Sequence, residues 1–288
     1  VNLFTQAIYS GLTSGAVYAL LAMGLVIAYR TTRVVNLAHG ESYAIAGIVI
    51  GLLDRSGVPL GLALPAGVLA AMLFLWGMDR LLLRPRSAWP IGSLILVTLG
   101  VAFLARGVFM VAAGVDPLSF PRLIAGPPLR FAGGVIPRQA VTLIGVAVVA
   151  AAGVALFLAR TRFGRQLRAT AEHPDAAQLM GEIVYRPGGG ASRLGGGGGG
   201  LAAALLVPLV PVDFQTGLGM TLRGFIAAAL AGMVPGAAVF CGFLLGLFEA
   251  FVTSYGGALA SDPVVFLVLI VAALWRSRSI RFDGGARA

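Results

Sequence analysis

Few side chains in this sequence could do chemistry, and they are concentrated. Asn36, His39 and Glu41 share one short stretch, Arg33-Val34-Val35-Asn36-Leu37-Ala38-His39-Gly40-Glu41, where one apolar segment ends and another begins. Polar groups at membrane depth must face protein or water, so these three either line a permeation path or cap the helix that follows. A second stretch, Phe163 to Gly181, has Glu172 and Asp175 around Pro174, with Gly181 further on. Proline in a first turn, acids at the positive end and glycine past the last turn describe a short capped helix outside the membrane, with Ala176, Leu179 and Met180 on one side. Such a helix docks into a partner's groove or lies on lipid headgroups. Glu249 sits deep in an apolar run, as a path residue or a hydrogen-bond partner between helices. Glu249, Arg106 and Arg223 could pair with one another or line the path, and for the two arginines snorkelling from a helix end is the leading reading.

The same inventory excludes several chemistries. All 21 basic residues are arginine. Without lysine there is no P-loop nucleotide site and no Schiff base, so ATP and Mg, if used, belong to another chain. His39 and His173 are far apart and Cys241 is alone, which argues against a metal site or a disulfide and for no cofactor on this chain. No clustered nucleophile and base suggests an enzyme.

The elements that must position these residues are membrane helices. Of 288 residues 58% are hydrophobic and 11% charged, too little charge to cover a water-soluble surface. Apolar runs cover Ile8 to Ala28, Leu60 to Met78, Ile91 to Ala113, Gln139 to Ala159, Ala237 to Tyr255 and Pro263 to Trp275. Shorter ones cover Ala38 to Leu53, Leu201 to Val212 and Leu222 to Val234. These predict an all-α polytopic bundle of about eight to nine membrane segments in a single domain over residues 1–288. The first run ends in Tyr29-Arg30 rather than a small-residue cleavage site and reads as a retained helix. Arg160, Arg162, Arg165, Arg168, Arg186 and Arg193 form the densest basic cluster, placing loop 160–193 and the C-terminal tail in the cytoplasm. Gly11, Gly15, Ala19 and Gly24 along the first run let helices approach closely.

Asn36-Leu37-Ala38-His39-Gly40-Glu41 after a glycine-rich helix, and Gly164 to Glu172 running into Asp175 to Gly181, resemble the LivH/LivM-type permeases of ABC importers for branched-chain amino acids. Pro235-Gly236-Ala237 and Gly242 to Ala250 are similar to that family too, so the resemblance covers nearly the whole chain. It implies a bacterial inner-membrane subunit that pairs with a second permease, two cytoplasmic ABC ATPases and an external solute-binding protein. Glu172, Asp175, Ala176, Ala177, Leu179 and Gly181 would then form the segment that couples to the ATPase. Asn36, His39, Glu41 and Glu249 are the candidates for the translocation path. Urea, short amides or aromatic acids are alternative substrates within the family. An ion-coupled secondary transporter is the competing class, although it would call for paired membrane carboxylates.

One window departs from the resemblance. Residues 182–200 carry Pro187, three glycines, Arg193 and then six glycines, where the family has an apolar helix. Each glycine costs roughly 1 kcal/mol of helix stability relative to alanine, which predicts a poorly held segment. Two compensating frameshifts in a GC-rich gene would produce this composition; the alternative is a genuine flexible linker.

Overall fold

The computed structural model describes residues 2–124, 126–162, 164–165, 186–257, 263–268 and 270–271. In chain order the named elements are α1 (Leu3–Thr32), α2 (Glu41–Arg55), α3 (Leu60–Met78) and α4 (Ile91–Ala113). They continue with strands β1 (Leu129–Phe131) and β2 (Gly134–Ile136), then α5 (Arg138–Arg160), α6 (Arg186–Leu206), α7 (Thr216–Leu230) and α8 (Pro235–Gly256). A π-turn and a 3-10 turn prolong α3 to Arg86.

The apolar runs became helices for local reasons. Pro59, Pro90 and Pro137 stand extended immediately before α3, α4 and α5, and Pro235 opens α8, where its missing N–H is not needed. Asn2 caps α1 by accepting the Phe4 N–H at 3.1 Å. Five helices among the described residues are long and apolar enough to cross a bilayer: α1, α3 with its extension, α4, α5 and α8. The 15-residue α2 and α7 reach only about 22 Å, less than the hydrocarbon core. The all-α polytopic expectation therefore holds. The expected Pro263 to Trp275 segment lies partly outside the described residues.

α1 is the axis of the bundle. In its most apolar window 83% of residues are buried, against 11–28% in the other long helices, so α1 is surrounded by protein while the others keep a face outward. α8 packs along it through residues that lack side chains. A Cβ on Gly242 would come within 2.5 Å of the Ala19 Cα, and one on Gly15 within 2.8 Å of the Phe243 Cα. Helix pairs in lipid gain nothing from expelling water, so backbone approach of this kind supplies their packing energy.

The glycine run lies on the other flank of α1 and corrects the expectation of a weak segment or linker. It is part of α6, a continuous helix from Arg186 to Leu206, so only the first half of the apolar run Leu201 to Val212 is helical, as the end of a longer element. Gly195 abuts Gly24 of α1, a Cβ on Gly196 would lie 2.5 Å from the Ala71 carbonyl oxygen, and one on Gly200 would lie 2.9 Å from the Val68 Cα. Gly199 meets Ser42 of α2. Contact with three neighbouring helices offsets the poor intrinsic propensity of glycine.

At the N-terminal end of α1, β1 and β2 pair antiparallel with Leu129 opposite Ile136 and Phe131 opposite Gly134. The turn residues Ala132 and Gly133 both have positive φ, 46° and 76°, as a type I′ turn requires. The hairpin is tied down by Asn2 N–H to the Gly133 carbonyl at 2.7 Å, by the Tyr9 hydroxyl to the Phe131 carbonyl at 3.0 Å, and by Val135 N–H to Gln6 Oε1 at 3.1 Å.

If the α1–α8 seam sets the bundle, Gly242→Leu forces overpacking worth at least about 1–3 kcal/mol. Gly100→Leu on α4, with open space around it, should cost little. Thermal unfolding of the detergent-solubilised protein should show a clear drop for the first variant and near wild-type behaviour for the second; equal behaviour would contradict the seam.

Candidate functional site

The helix break between α1 and α2 is built by a chain reversal. α1 ends at Arg33 in the left-handed conformation, φ 56°, its N–H returning to the Tyr29 carbonyl at 2.7 Å. The chain turns back, and side chains take up several of its backbone donors. The Asn36 Oδ1 accepts the Ala38 N–H at 2.9 Å, Thr98 Oγ1 of α4 accepts the Leu37 N–H at 3.1 Å, and Thr221 Oγ1 of α7 accepts the Gly40 N–H at 2.7 Å. Gly40 presses against α7 so closely that no side chain fits. Ser42 closes the first turn of α2 by donating to the His39 carbonyl at 2.7 Å.

Asn36, His39 and Glu41 are thus brought together and buried. The His39 ring is wedged between α1 and α6, since a Cβ on Gly24 would lie 3.0 Å from its Nε2 and one on Gly195 would lie 2.8 Å from its Cε1. Glu41 is fully buried at the start of α2, where the helix dipole favours an anion. Its Oε1 accepts from Arg106 Nε at 3.3 Å. Glu41 Oε2 and Arg106 Nη2 make no hydrogen bond among the described residues. Glu41 also packs on Gly217, so the starts of the two short helices α2 and α7 meet at this carboxylate.

Glu249 is elsewhere, on α8. Arg223 of α7 holds it in a forked pair, Nε and Nη2 to Oε1 at 3.0 and 2.7 Å, with Nε also 3.2 Å from Oε2. The Tyr18 hydroxyl of α1 donates to Oε2 at 2.7 Å, and the Arg223 guanidinium lies 6.0 Å from the Tyr18 ring centre. Of the two readings of Arg106 and Arg223, snorkelling is corrected and pairing is found, Arg223 with Glu249 and Arg106 with Glu41: each neutralises a buried carboxylate on a neighbouring helix, which in lipid is the cheaper arrangement. Sequence reasoning missed Tyr18, Thr98, Thr221 and Gln139. Gln139 donates from Nε2 to the Leu205 carbonyl at 2.9 Å and accepts the Ile124 N–H at 3.2 Å, tying α5 to α6. A polar residue inside an apolar run was the only available signal for each.

At the far end of α1, Arg84 pairs with Asp79 at 2.8 Å beside a small cavity of about 70 Å³ bordered by Thr31 and Thr32. Among the described residues no group of three or more His, Cys, Asp or Glu could hold a metal. The coupling candidates Glu172, Asp175, Ala176, Ala177, Leu179 and Gly181 lie outside the described residues.

The family model for "Branched-chain amino acid transport system / permease component" matches residues 7–274. The chain belongs to this family. It is 30% identical to the high-affinity branched-chain amino acid transport system permease protein BraD of Pseudomonas aeruginosa, over 96% of this chain and 95% of the relative. It is 29% identical to the corresponding LivH permease of Escherichia coli, over 94% and 93%. Among solved structures, PsaBC from Streptococcus pneumoniae in complex with Fab is similar with a TM-score of 0.49 and 14% identity, over 96% of this chain and 91% of that one.

Removing one partner of a buried ion pair costs on the order of 3–5 kcal/mol, because the other charge stays behind. Glu249→Gln should therefore destabilise the permease strongly, and Glu249→Gln combined with Arg223→Met should recover more than half of that loss. A double-mutant cycle of melting temperatures checks this; strictly additive losses would contradict the pairing.

Proposed function

We propose that this permease is the membrane-embedded subunit of an ATP-driven importer for branched-chain amino acids in a bacterial inner membrane. The single observation that carries the reading is the family match running from residue 7 to residue 274. The relatives BraD and LivH, described as permeases of high-affinity branched-chain amino acid transport systems, supply the substrate class. In this reading the chain does no covalent chemistry. ATP and Mg act on two partner ATPases, a second permease completes the path, and an external binding protein delivers the solute.

Loop 160–193 and the C-terminal tail face the cytoplasm in this reading, which the clustered arginines favour. Glu172, Asp175, Ala176, Ala177, Leu179 and Gly181 dock into the ATPase. Docking can drive transport only if the contact favours one access state over the other. Asn36, His39 and Glu41 border the path or hold its helix break, and Glu249 supports the bundle beside it. What supports the first part is that the break is the place where buried polar groups from α2, α4 and α7 converge.

Proteoliposomes with the assembled transporter should accumulate leucine only with ATP inside and the binding protein outside. Uptake by this chain alone, without ATP, would overturn the reading. Ala177→Trp and Gly181→Trp should leave ATP hydrolysis running while uptake falls about tenfold or more, the scale of losing one docking contact; unchanged uptake would remove that segment from the coupling role.

A further inference from the structure

The α1 face turned away from α8 has no part in the functions assigned so far. Gln6, Tyr9, Ser10, Thr13 and Ser14 recur at helical spacing in the first half of α1. They line a cleft of about 260 Å³ between α1, β2, the start of α5 and the end of α6. Hydroxyls on a membrane helix must face protein or water, and here they face open volume. Ser10 and Thr13 donate to carbonyls of their own helix, at 3.1 Å to Gln6 and 2.7 Å to Tyr9, leaving their oxygens able to accept.

The opposite wall is apolar, formed by Ile136, Leu206, Leu209 and Val210. Among the described residues Arg122, from the loop between α4 and β1, is the one charged side chain on the lining, and no carboxylate joins it. A cleft below roughly 300 Å³ is too small for drug-sized ligands and suits a small solute. One cation, a row of acceptor oxygens and an apolar wall match the three parts of an aliphatic α-amino acid: carboxylate, ammonium and hydrocarbon side chain.

We infer that this cleft is a binding subsite for an aliphatic amino acid, its carboxylate held by Arg122, its ammonium by the α1 hydroxyls and its side chain by the apolar wall. The inference rests on the amino-acid permease reading and adds the place where the solute binds this chain. It lies at the hairpin end of α1, opposite the end bearing Asp79 and Arg84. The subsite is therefore distinct from the helix break at Asn36 to Glu41.

The test is equilibrium binding of radiolabelled leucine to the full-length permease in nanodiscs of zwitterionic lipid. Wild type should bind saturably, with 4-methylpentanoate, which keeps the carboxylate, competing better than leucinamide, which lacks it. Arg122→Gln should weaken binding about tenfold or more and abolish the preference between the two competitors, as expected for losing one charge-assisted contact. Val210→Trp, at an exposed position on the apolar wall, should block binding by filling the cleft. Arg130→Gln, exposed on β1 and outside the lining, should bind like wild type and serves as the folding control. No saturable binding to wild type, or Arg122→Gln and Val210→Trp binding like wild type, would overturn the subsite. ATP-dependent leucine uptake by the assembled transporter is read separately, so its failure with binding intact would overturn the transport reading instead.

Discussion

The close approach of α1 to two neighbours on opposite flanks is the constraint on which the rest of the structure depends. In lipid, apolar side chains gain little by turning from hydrocarbon to protein, so a helix is held in the middle of a bundle by density of contact. Gly11 and Gly15 give that density toward α8, and Gly24 gives it toward Gly195 of α6. With α1 fixed as the axis, the hairpin, α7 and the reversal after Thr32 all have a surface to be measured from. Arg30 of α1, for example, donates to the Met233 carbonyl at 3.0 Å, where the chain leaves α7 for α8.

Polar ties then specify what small-residue packing leaves free to slide. Glycine surfaces are smooth, and smooth surfaces do not by themselves set a register. Two ion pairs between helices are directional and sit where the register matters: Arg106 to Glu41 joins α4 to the start of α2, and Arg223 to Glu249 joins α7 to α8, with Tyr18 bringing in α1. The break itself exposes backbone donors that lipid could not satisfy, which is why threonine hydroxyls from α4 and α7 meet Leu37 and Gly40 there. A polar cluster at the junction of two short helices is also what a membrane protein needs wherever a solute must pass irregular backbone.

Much of the scaffold was legible in the sequence because its signals are local. The runs Leu60 to Met78 and Ile91 to Ala113 coincide with α3 and α4, since a proline starts each and the apolar pattern fills the rest. α6 was misjudged for the opposite reason: glycine propensity is a local quantity, and what holds Gly195 to Gly200 helical is contact with α1, α2 and α3. At the candidate site, the sequence left Asn36, His39 and Glu41 open between a capping loop and a path; their place at a helix break was legible. Their partners were not, because Thr98, Arg106 and Thr221 come from helices far along the chain and pairing between distant helices leaves no spacing to read. Pairing was one reading of the isolated Glu249, Arg106 and Arg223, but which acid each arginine takes was hidden in the same way, since a lone arginine in an apolar run looks alike whether it snorkels or neutralises a buried acid.

The glycine-rich helix α6 packs as tightly on its neighbours as α8 does on α1, in one continuous bundle. Site-specific crosslinking tests it most directly. A Cβ on Gly197 would lie 3.7 Å from the Met72 Cγ, so Met72→Cys and Gly197→Cys together, in a Cys241→Ala background, place two thiols within reach across α3 and α6. Mild oxidation in native membranes should give near-complete disulfide formation for this pair and none for Gly100→Cys with Gly197→Cys, since Gly100 has open space around it. Absence of the first crosslink, or equal crosslinking of both pairs, would contradict the account.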